Sequence, residues 1–244
     1  MRLIATAAGI FATVSCSSAL ADDRPCYGMP PLSVDAGVVP SLAIVKPGDR
    51  ARFVKGAEQA GCPSASAACA SRAFVVGGDA VVVSATAGDY ACATFTGPKA
   101  VSTFGFLPRA RLGAQPPEAP VNAPTPWAGT WQSGDEQTIT IRPKPDGRIV
   151  IEGDATWGGH DPDRVKRGAV NAGNVSAEVS VADGVAAFTV DGDGTTKPFD
   201  LKLPADSGAC SVKLWRLGPY LVAADNLGCG GMNVTFTGVY RKIP

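Results

Sequence analysis

Residues 210–240 constrain the fold more than any other stretch of the chain. They contain two apolar runs, residues 212–217 and 220–224, with the turn dipeptide Gly218-Pro219 between them. This order of run, turn and run predicts a β-hairpin. A chain that reverses near residues 218–221 brings Cys210 and Cys229 to facing strand ends, within the roughly 4.4–6.8 Å Cα separation that a disulfide needs.

A third run, residues 233–241, shows the two-residue period of a strand. Its predicted faces are Val234, Phe236 and Tyr240 on one side and Thr235, Thr237 and Val239 on the other. We expect this strand to close the sheet that the hairpin begins.

Composition extends the β assignment to the whole chain. The 29 glycines and 20 prolines separate short runs rich in Val, Ile, Thr and Phe. No long stretch has the apolar spacing of a helix, and the Ala-dense residues 57–73 are interrupted by Gly61 and Pro63. The sequence therefore predicts an all-β protein, with a single helical turn allowed in residues 57–73.

The N-terminus has the features of a secretory signal peptide. Arg2 precedes an apolar run at residues 3–14, and Ala19-Leu20-Ala21 forms a small-residue cleavage site. We assign residues 1–21 to the signal and expect a periplasmic or secreted protein without a membrane span. Acylation of Cys16 would instead give a lipoprotein, but the Leu usual three positions before such a cysteine is absent.

Cleavage after residue 21 leaves an even number of cysteines, which in an exported chain predicts disulfides. The six are Cys26, Cys62, Cys69, Cys92, Cys210 and Cys229. None forms the CxxC-like pairs of a structural zinc site. The first four allow three pairings, of which we favour Cys62 with Cys69 and Cys26 with Cys92.

Charge is balanced, with 22 basic and 22 acidic residues, and loss of Arg2 with the signal leaves a net charge of −1. This balance does not favour nucleic acid or an anionic membrane surface as a partner. We expect a monomer whose partner is a protein or a cell-wall ligand.

Residues 22–112 contain an N-terminal arm anchored by Cys26 and then short apolar runs separated by turns. The runs are residues 51–54, 74–76, 80–84, 90–95 and 102–107. The stretches 78–83, 88–92 and 103–108, with an end at Leu112, resemble the bacterial SH3-like domains of cell-wall and secreted proteins. The resemblance covers residues 43–112 and implies a small barrel, with Phe106 where that family typically has Trp.

Ligands of SH3-like domains often lie across aromatic side chains between hairpin loops. The positions that match are Tyr90, Phe104 and Phe106. The resemblance thus implies a ligand site at these three residues. Phe104 and Phe106 share one face of a strand, and the alternative is that both fill the barrel.

Residues 113–126 contain five prolines among small residues and predict a semi-rigid linker. Residues 127–244 then form a second domain. Further runs lie at residues 137–142, 148–153, 174–181, 185–191 and 198–203. They predict an antiparallel barrel or curved sheet of eight to nine strands. We expect few contacts between the two domains.

The pattern of residues 220–222, 225–226 and 229–241 resembles the closing segment of exported proteobacterial proteins, some of which are labelled lysozyme inhibitors. Periplasmic inhibitors of animal-type lysozyme are small disulfide-stapled β-barrels that insert a Ser-Gly loop and a Thr-Lys-Gly turn into the enzyme. Here Ser133-Gly134 continues into Asp135-Glu136, and Thr196-Lys197 is followed by Pro198.

Candidate catalytic residues are few. The single histidine, His160, lies in a loop rich in Gly, Pro and Asp, and no G-x-S-x-G nucleophile elbow occurs. Residues 191–195 (Asp-Gly-Asp-Gly-Thr) lack the further ligands of a calcium loop and predict a tight turn. Asp135-Glu136 and Asp161 with Asp163 are conceivable glycosidase carboxylates, but their spacing along the chain does not give their separation.

The sequence thus favours an exported, non-enzymatic binding protein of the cell envelope, for a peptide, glycan or protein ligand, with no cofactor and no metal. The first alternative is a lysozyme inhibitor that acts by loop insertion. The second is an envelope hydrolase that uses acidic residues.

Overall fold

The structure, a computed structural model, describes Cys26, Leu32, Val34 and residues 38–114, 121–200 and 208–244. The predicted signal with Cys16, residues 115–120 of the predicted linker and residues 201–203 of a predicted strand lie outside this part. Within it the chain forms two antiparallel β-sheets, which confirms the all-β prediction. The described residues contain one α-helix, α1 (Pro162–Lys166), and no helix long and apolar enough to cross a membrane.

The N-terminal sheet has seven strands and curls into a half-barrel. They are β1 (Ser41–Val45), β2 (Ala51–Val54), β3 (Ala70–Val75), β4 (Ala80–Ala87), β5 (Tyr90–Thr96), β6 (Ser102–Pro108) and β7 (Leu112–Ala114). Their order is β3-β2-β6-β5-β4-β1-β7. The predicted runs correspond to β2 through β6. Neither β1, which lies between Pro40 and Pro47, nor the three-residue β7 was predicted, because prolines and short length obscure the strand pattern.

Both faces of the N-terminal sheet are covered. One face carries an apolar cluster that includes Phe53, Val81 and Leu107. The other face carries Cys92 and Phe106, which pack with Cys26 and Cys69. The cystines therefore cover part of this second face.

The three disulfides are Cys26–Cys92, Cys62–Cys69 and Cys210–Cys229, with Cα separations of 5.5, 5.6 and 4.5 Å. These are the pairings that the sequence favoured. The structure therefore contains no disulfide between the N-terminal and C-terminal sheets among the described residues.

The C-terminal sheet has nine strands and forms a nearly closed barrel, as predicted. They are β8 (Gly129–Ser133), β9 (Gln137–Pro143), β10 (Ile149–Trp157), β11 (Asn171–Val179), β12 (Val185–Val190), β13 (Thr196–Pro198), β14 (Cys210–Leu217), β15 (Tyr220–Asp225) and β16 (Gly238–Ile243). Their order is β11-β10-β9-β8-β16-β15-β14-β12-β13. At the seam the Thr196 hydroxyl of β13 donates to the Ser176 carbonyl of β11 at 3.5 Å.

The predicted strand at residues 233–241 is wrong in its start, because β16 begins at Gly238. Residues 226–237, here called the plug segment, instead cross one end of the barrel. The predicted face is nevertheless correct for the core, since Val234, Phe236 and Tyr240 all lie in the barrel interior. Helix α1 was not predicted either, and the Asp161 carboxylate caps it by accepting from the Asp163 and Arg164 amides.

Because neighbouring strands of the sheet run antiparallel, the connections of the barrel sort into two ends. The Trp end holds the β9–β10, β11–β12 and β14–β15 turns and is covered by Trp127, whose indole donates to the Val121 carbonyl at 2.9 Å. The loop end holds the β8–β9 turn, the connection with α1, the β12–β13 turn and the plug segment. Side chains fill the interior between the two ends.

The two sheets pack against each other. Leu32, Val34 and Val82 form one buried cluster with Trp215, Tyr220, Val222, Ala224 and Val239. The Tyr220 hydroxyl donates to the Ala80 carbonyl at 2.7 Å, and the Thr96 hydroxyl donates to the Val239 carbonyl at 3.0 Å. The expectation of few contacts between the domains is therefore wrong. The composition of a linker does not indicate whether the domains on either side of it contact each other. The informative signal is the apolar run of β15. All six positions of this strand are buried, as expected for a strand that is covered on both faces.

Candidate functional site

A cleft of about 730 Å³ opens at the loop end of the barrel. Three segments line it: the β8–β9 turn, the end of β10 with the residues up to α1, and the plug segment. The lining residues are Ser133, Gly134, Asp135, Glu136, Gln137, Thr156, Trp157, Gly158, His160, Asp161, Arg164, Asn233 and Thr235. Hydroxyl, amide, carboxylate and aromatic groups therefore converge on one concave surface.

The β8–β9 turn is fixed from two sides. Gly134 adopts a φ of +61°, which favours glycine, and its amide donates to the Ala100 carbonyl of the N-terminal sheet at 2.8 Å. On the other side the Thr156 amide donates to the Glu136 carbonyl at 2.9 Å. The N-terminal sheet thus holds one lip of the cleft.

Charged groups lie on the opposite lip. The Arg164 guanidinium stacks on the Trp157 ring, 3.8 Å from its centroid, and pairs with Asp161 at 3.5 Å. The His160 amide donates to Glu136 Oε1 at 3.2 Å. This hydrogen bond connects the α1 loop to the β8–β9 turn across the cleft.

The plug segment forms the third wall and is held by a buried carboxylate. Asp225 is 2% exposed and accepts from the Phe236 amide at 2.8 Å and from the hydroxyls of Thr235 and Thr237 at 2.7 and 2.8 Å. The side-chain amide Nε2 of Gln137 donates to the Thr235 carbonyl at 2.7 Å, so the plug is also joined to β9. These bonds fix the backbone next to the cleft.

Two further features bring the plug close to the barrel wall. A Cβ at Gly173 of β11 would lie 2.2 Å from the Cys229 carbonyl oxygen, so only glycine allows this approach. Asn226 accepts from the Ser211 amide at 3.1 Å and donates to the Ala209 carbonyl at 2.9 Å. The Cys210–Cys229 disulfide therefore lies in a segment that is also hydrogen-bonded on both sides.

The aromatic residues predicted to bind ligand lie elsewhere, on the N-terminal sheet. Phe106 is 4% exposed and packs with the cystines, and Tyr90 is half-buried against the same cluster. Phe104 is half-buried and pairs with Thr94 of β5. None of the three lines the cleft. The burial of Phe106 matches the packing role that the sequence left open, and ligand binding at these residues stays a prediction.

Residues that the sequence analysis considered separately lie together in the cleft. His160, Asp161, Asp135 and Glu136 all line it, whereas Asp163 does not. The sequence could not show this, because the β8–β9 turn and the α1 loop meet only through the pairing of β9 with β10. Four of the lining residues, Trp157, Arg164, Asn233 and Thr235, were not predicted as site residues. The one sequence feature near any of them that indicates an unusual backbone is the glycine-rich run beside Cys229.

No metal-ligand cluster of three or more His, Cys, Asp or Glu side chains occurs in the described residues. Residues 191–195 form a tight turn between β12 and β13. In it the Thr195 amide donates to the Asp193 carboxylate at 2.9 Å, and Asp191 pairs with Lys197. The Thr195 amide lowers the pKa of Asp193 below its usual range.

Comparison of the chain with protein-family models, with curated proteins and with solved structures gives no match in any of the three.

Proposed function

We propose that this chain is an exported, non-enzymatic binding protein of the cell envelope, and that the loop-end cleft takes its ligand. The cleft itself carries the proposal. Its volume of about 730 Å³ lies within the roughly 300–1,000 Å³ of small-ligand sites, and its lining combines one aromatic ring with many hydrogen-bonding groups. The three disulfides support a protein that folds outside the cytoplasm.

Fixed geometry supports binding. The β8–β9 turn is held by Ala100 and Thr156, the α1 loop by Glu136, and the plug by Asp225 and a disulfide. A site whose walls are already ordered loses little conformational entropy when a ligand enters. The N-terminal half-barrel contributes by holding one lip.

The test is capture of ligand from peptidoglycan fragments and from periplasmic extract, with a cleft variant beside a distant control. Asn233 has a φ of +67°, so Asn233→Gly removes the side-chain amide and keeps the backbone conformation. We expect captured ligand to bind about fivefold more weakly to this variant, the value of one hydrogen bond of about 1 kcal/mol.

Asp183→Asn is the control. It removes a charge from the turn at the Trp end, where Asp183 has a φ of +51° that Asn tolerates. Ligand that binds equally to both variants and the parent protein would place the site outside the cleft and refute the proposal.

A hydrolase that uses acidic residues is the second candidate, because Asp135, Glu136 and Asp161 line one cleft. Its test is product release from peptidoglycan and glycosides, compared with Glu136→Gln. This variant keeps an oxygen that accepts from the His160 amide. Turnover by the parent and its loss in Glu136→Gln would replace the binding proposal by the enzymatic one.

Lysozyme inhibition is favoured by a different observation. The Ser133-Gly134 turn and the β12–β13 turn that precedes Thr196-Lys197 both lie at the loop end. A turbidity assay with lysozyme tests it directly. No inhibition at micromolar excess of this protein would eliminate this candidate.

A further inference from the structure

Exposed apolar side chains gather around the cleft. Among the described residues seven large hydrophobic side chains are exposed, and four of them lie on segments that border the cleft. These four, here called the apolar rim, are Val101, Val165, Leu227 and Met232, with exposed fractions of 62, 53, 63 and 78%. Exposed apolar side chains on the segments around a concave site offer contact area to a partner that enters it.

Three separate segments supply the apolar rim. Val101 follows Ala100, whose carbonyl accepts from the Gly134 amide of the cleft lip. Val165 follows Arg164 in α1, and Met232 precedes Asn233, both neighbours being lining residues. The Met232 carbonyl accepts from the Asn171 side chain at 2.7 Å, which fixes the backbone that carries it.

Leu227 adds an independent indication. It has a φ of +60°, a conformation that bulky side chains rarely adopt, and its side chain is exposed. With 63% of Leu227 exposed, packing within the chain contributes little at this position. Strained residues cluster at active sites, ligand clamps and switch regions.

The cleft inside the rim carries negative charge. Its carboxylates are those of Asp135, Glu136 and Asp161, and against them stands one guanidinium, that of Arg164, which leaves a net charge of −2. Arg164 pairs with Asp161, whereas none of the ion pairs among the described residues involves Asp135 or Glu136. Lys166 and Arg167 follow in α1 and its cap but do not line the cleft.

We infer that the loop end docks a basic polypeptide segment, with a Lys or Arg side chain in the cleft against Asp135 and Glu136 and with apolar side chains on the rim. The inference rests on the proposed function and adds the class of ligand to it. Charge complementarity selects a cation, and an aliphatic rim suits aliphatic side chains. A glycan would gain less, because sugars pack on aromatic faces and Arg164 already covers one face of Trp157.

The experiment is a titration of the oxidised protein with three nine-residue peptides and one neutral chitin tetrasaccharide. Trp157 is the reporter, since Trp127, Trp131 and Trp215 are at most 7% exposed. A Lys/Leu alternating peptide matches cleft and rim, a Lys/Ser peptide matches the cleft alone, and a Glu/Leu peptide matches the rim alone. We expect Lys/Leu to bind most tightly, Lys/Ser about fivefold more weakly, and Glu/Leu not at all.

Paired variants exclude non-specific attraction between a cationic peptide and the protein. Glu136→Gln and Asp135→Asn should each weaken Lys/Leu about fivefold, the value of one favourable ion pair of about 1 kcal/mol. The Asp183→Asn control should leave it within about twofold. Met232→Ser should weaken Lys/Leu but not Lys/Ser, and Val39→Ser, at a side chain 76% exposed before β1, should weaken neither.

Three outcomes overturn the inference. If Asp183→Asn weakens the binding of Lys/Leu as much as Glu136→Gln and Asp135→Asn do, charge attracts the peptide without a defined site. Saturation of the cleft by the tetrasaccharide, or failure of Lys/Leu to bind, refutes the basic polypeptide. Binding of the tetrasaccharide that weakens in Asn233→Gly leaves the proposed function standing, so the two failures are distinguishable.

Discussion

Removal of the Asp225 carboxylate should loosen the plug segment and lower the stability of the barrel. Asp225→Ala deletes the acceptor of three short hydrogen bonds, from the Phe236 amide and from the hydroxyls of Thr235 and Thr237. A hydrogen bond to a charged group contributes about 1.5–3 kcal/mol, and the buried Phe236 amide would lose its partner. Because such bonds are not additive, we expect a total loss of about 3–5 kcal/mol in the free energy of unfolding.

The measurement is urea unfolding followed by tryptophan fluorescence. With a slope of about 2–3 kcal/mol per M, a loss of this size lowers the midpoint by about 1–2.5 M. Thr235→Val removes one of the three bonds and should cost about 1–2 kcal/mol. Asp225→Asn keeps an oxygen that accepts from the hydroxyls but places an amide donor near the Phe236 amide. Its loss of stability should therefore lie between those of Thr235→Val and Asp225→Ala.

Asp154→Ala serves as the matched control, because Asp154 is exposed on the outer face of β10. It should stay within about 0.5 kcal/mol of the parent protein. The reasoning fails if Asp225→Ala unfolds at the parent midpoint, since the carboxylate would then not hold the plug.

Further predictions concern Gly173 in the barrel wall, the Cys210–Cys229 disulfide, the buried tyrosines and the interface between the two sheets. Gly173→Ala should destabilise the barrel by at least about 2 kcal/mol in the same assay, because its Cβ would overlap the Cys229 carbonyl; parent-like stability would show that the plug can move away. Replacement of both Cys210 and Cys229 by Ser opens a loop with a sequence separation of 19 and should lower the free energy of unfolding by about 3 kcal/mol. An unchanged free energy of unfolding would show that this loop is already ordered without the disulfide. Burial raises the pKa of Tyr220 and, more strongly, of Tyr240. The folded state therefore holds these phenol protons more tightly than the unfolded state. The contribution of these two tyrosines to stability should be constant below about pH 10 and fall above it. Ultraviolet absorbance that shows all tyrosines ionised in the folded protein at that pH would contradict this expectation. A fragment of residues 125–244 should melt at lower temperature than the whole chain, because it exposes Trp215 and Val222; an unchanged melting temperature would show that the interface adds no stability.

Local chemistry made part of this fold predictable. The β14–β15 hairpin follows from Gly218-Pro219 between two apolar runs, and Cys210 reaches Cys229 because that hairpin brings their strand ends together. The turns at Asp146-Gly147 and Asp183-Gly184 likewise lie where these dipeptides predict them, with positive φ at Gly147, Asp183 and Gly184. Signals of this kind depend on neighbours in sequence, so a single sequence contains them.

What could not be predicted depends on distant pairs. Residues 233–237 have the alternating pattern of a strand. Their backbone and hydroxyl groups donate to the Asp225 carboxylate instead of pairing with a neighbouring strand. The cleft forms only because β9 pairs with β10 and the plug segment lies across the same end of the barrel. The interface between the two sheets forms only because β4 contacts β15. Each of these contacts is decided by the tertiary fold, which outweighs the local pattern.

The position of β16 sets an order of assembly. This strand lies between β8 and β15, so it pairs Arg241 with Gln132 across more than a hundred residues. The N-terminal half-barrel can form its own ladders and cystines before β16 has paired, because none of them involves a residue of β16. The barrel, by contrast, remains two separate four-stranded sheets, β11-β10-β9-β8 and β15-β14-β12-β13, with β8 and β15 as unpaired edges until its final strand is in place. A chain that ends after β15 but before residue 238 would therefore leave the edges of β8 and β15 unpaired, where a chaperone or a protease can recognise them.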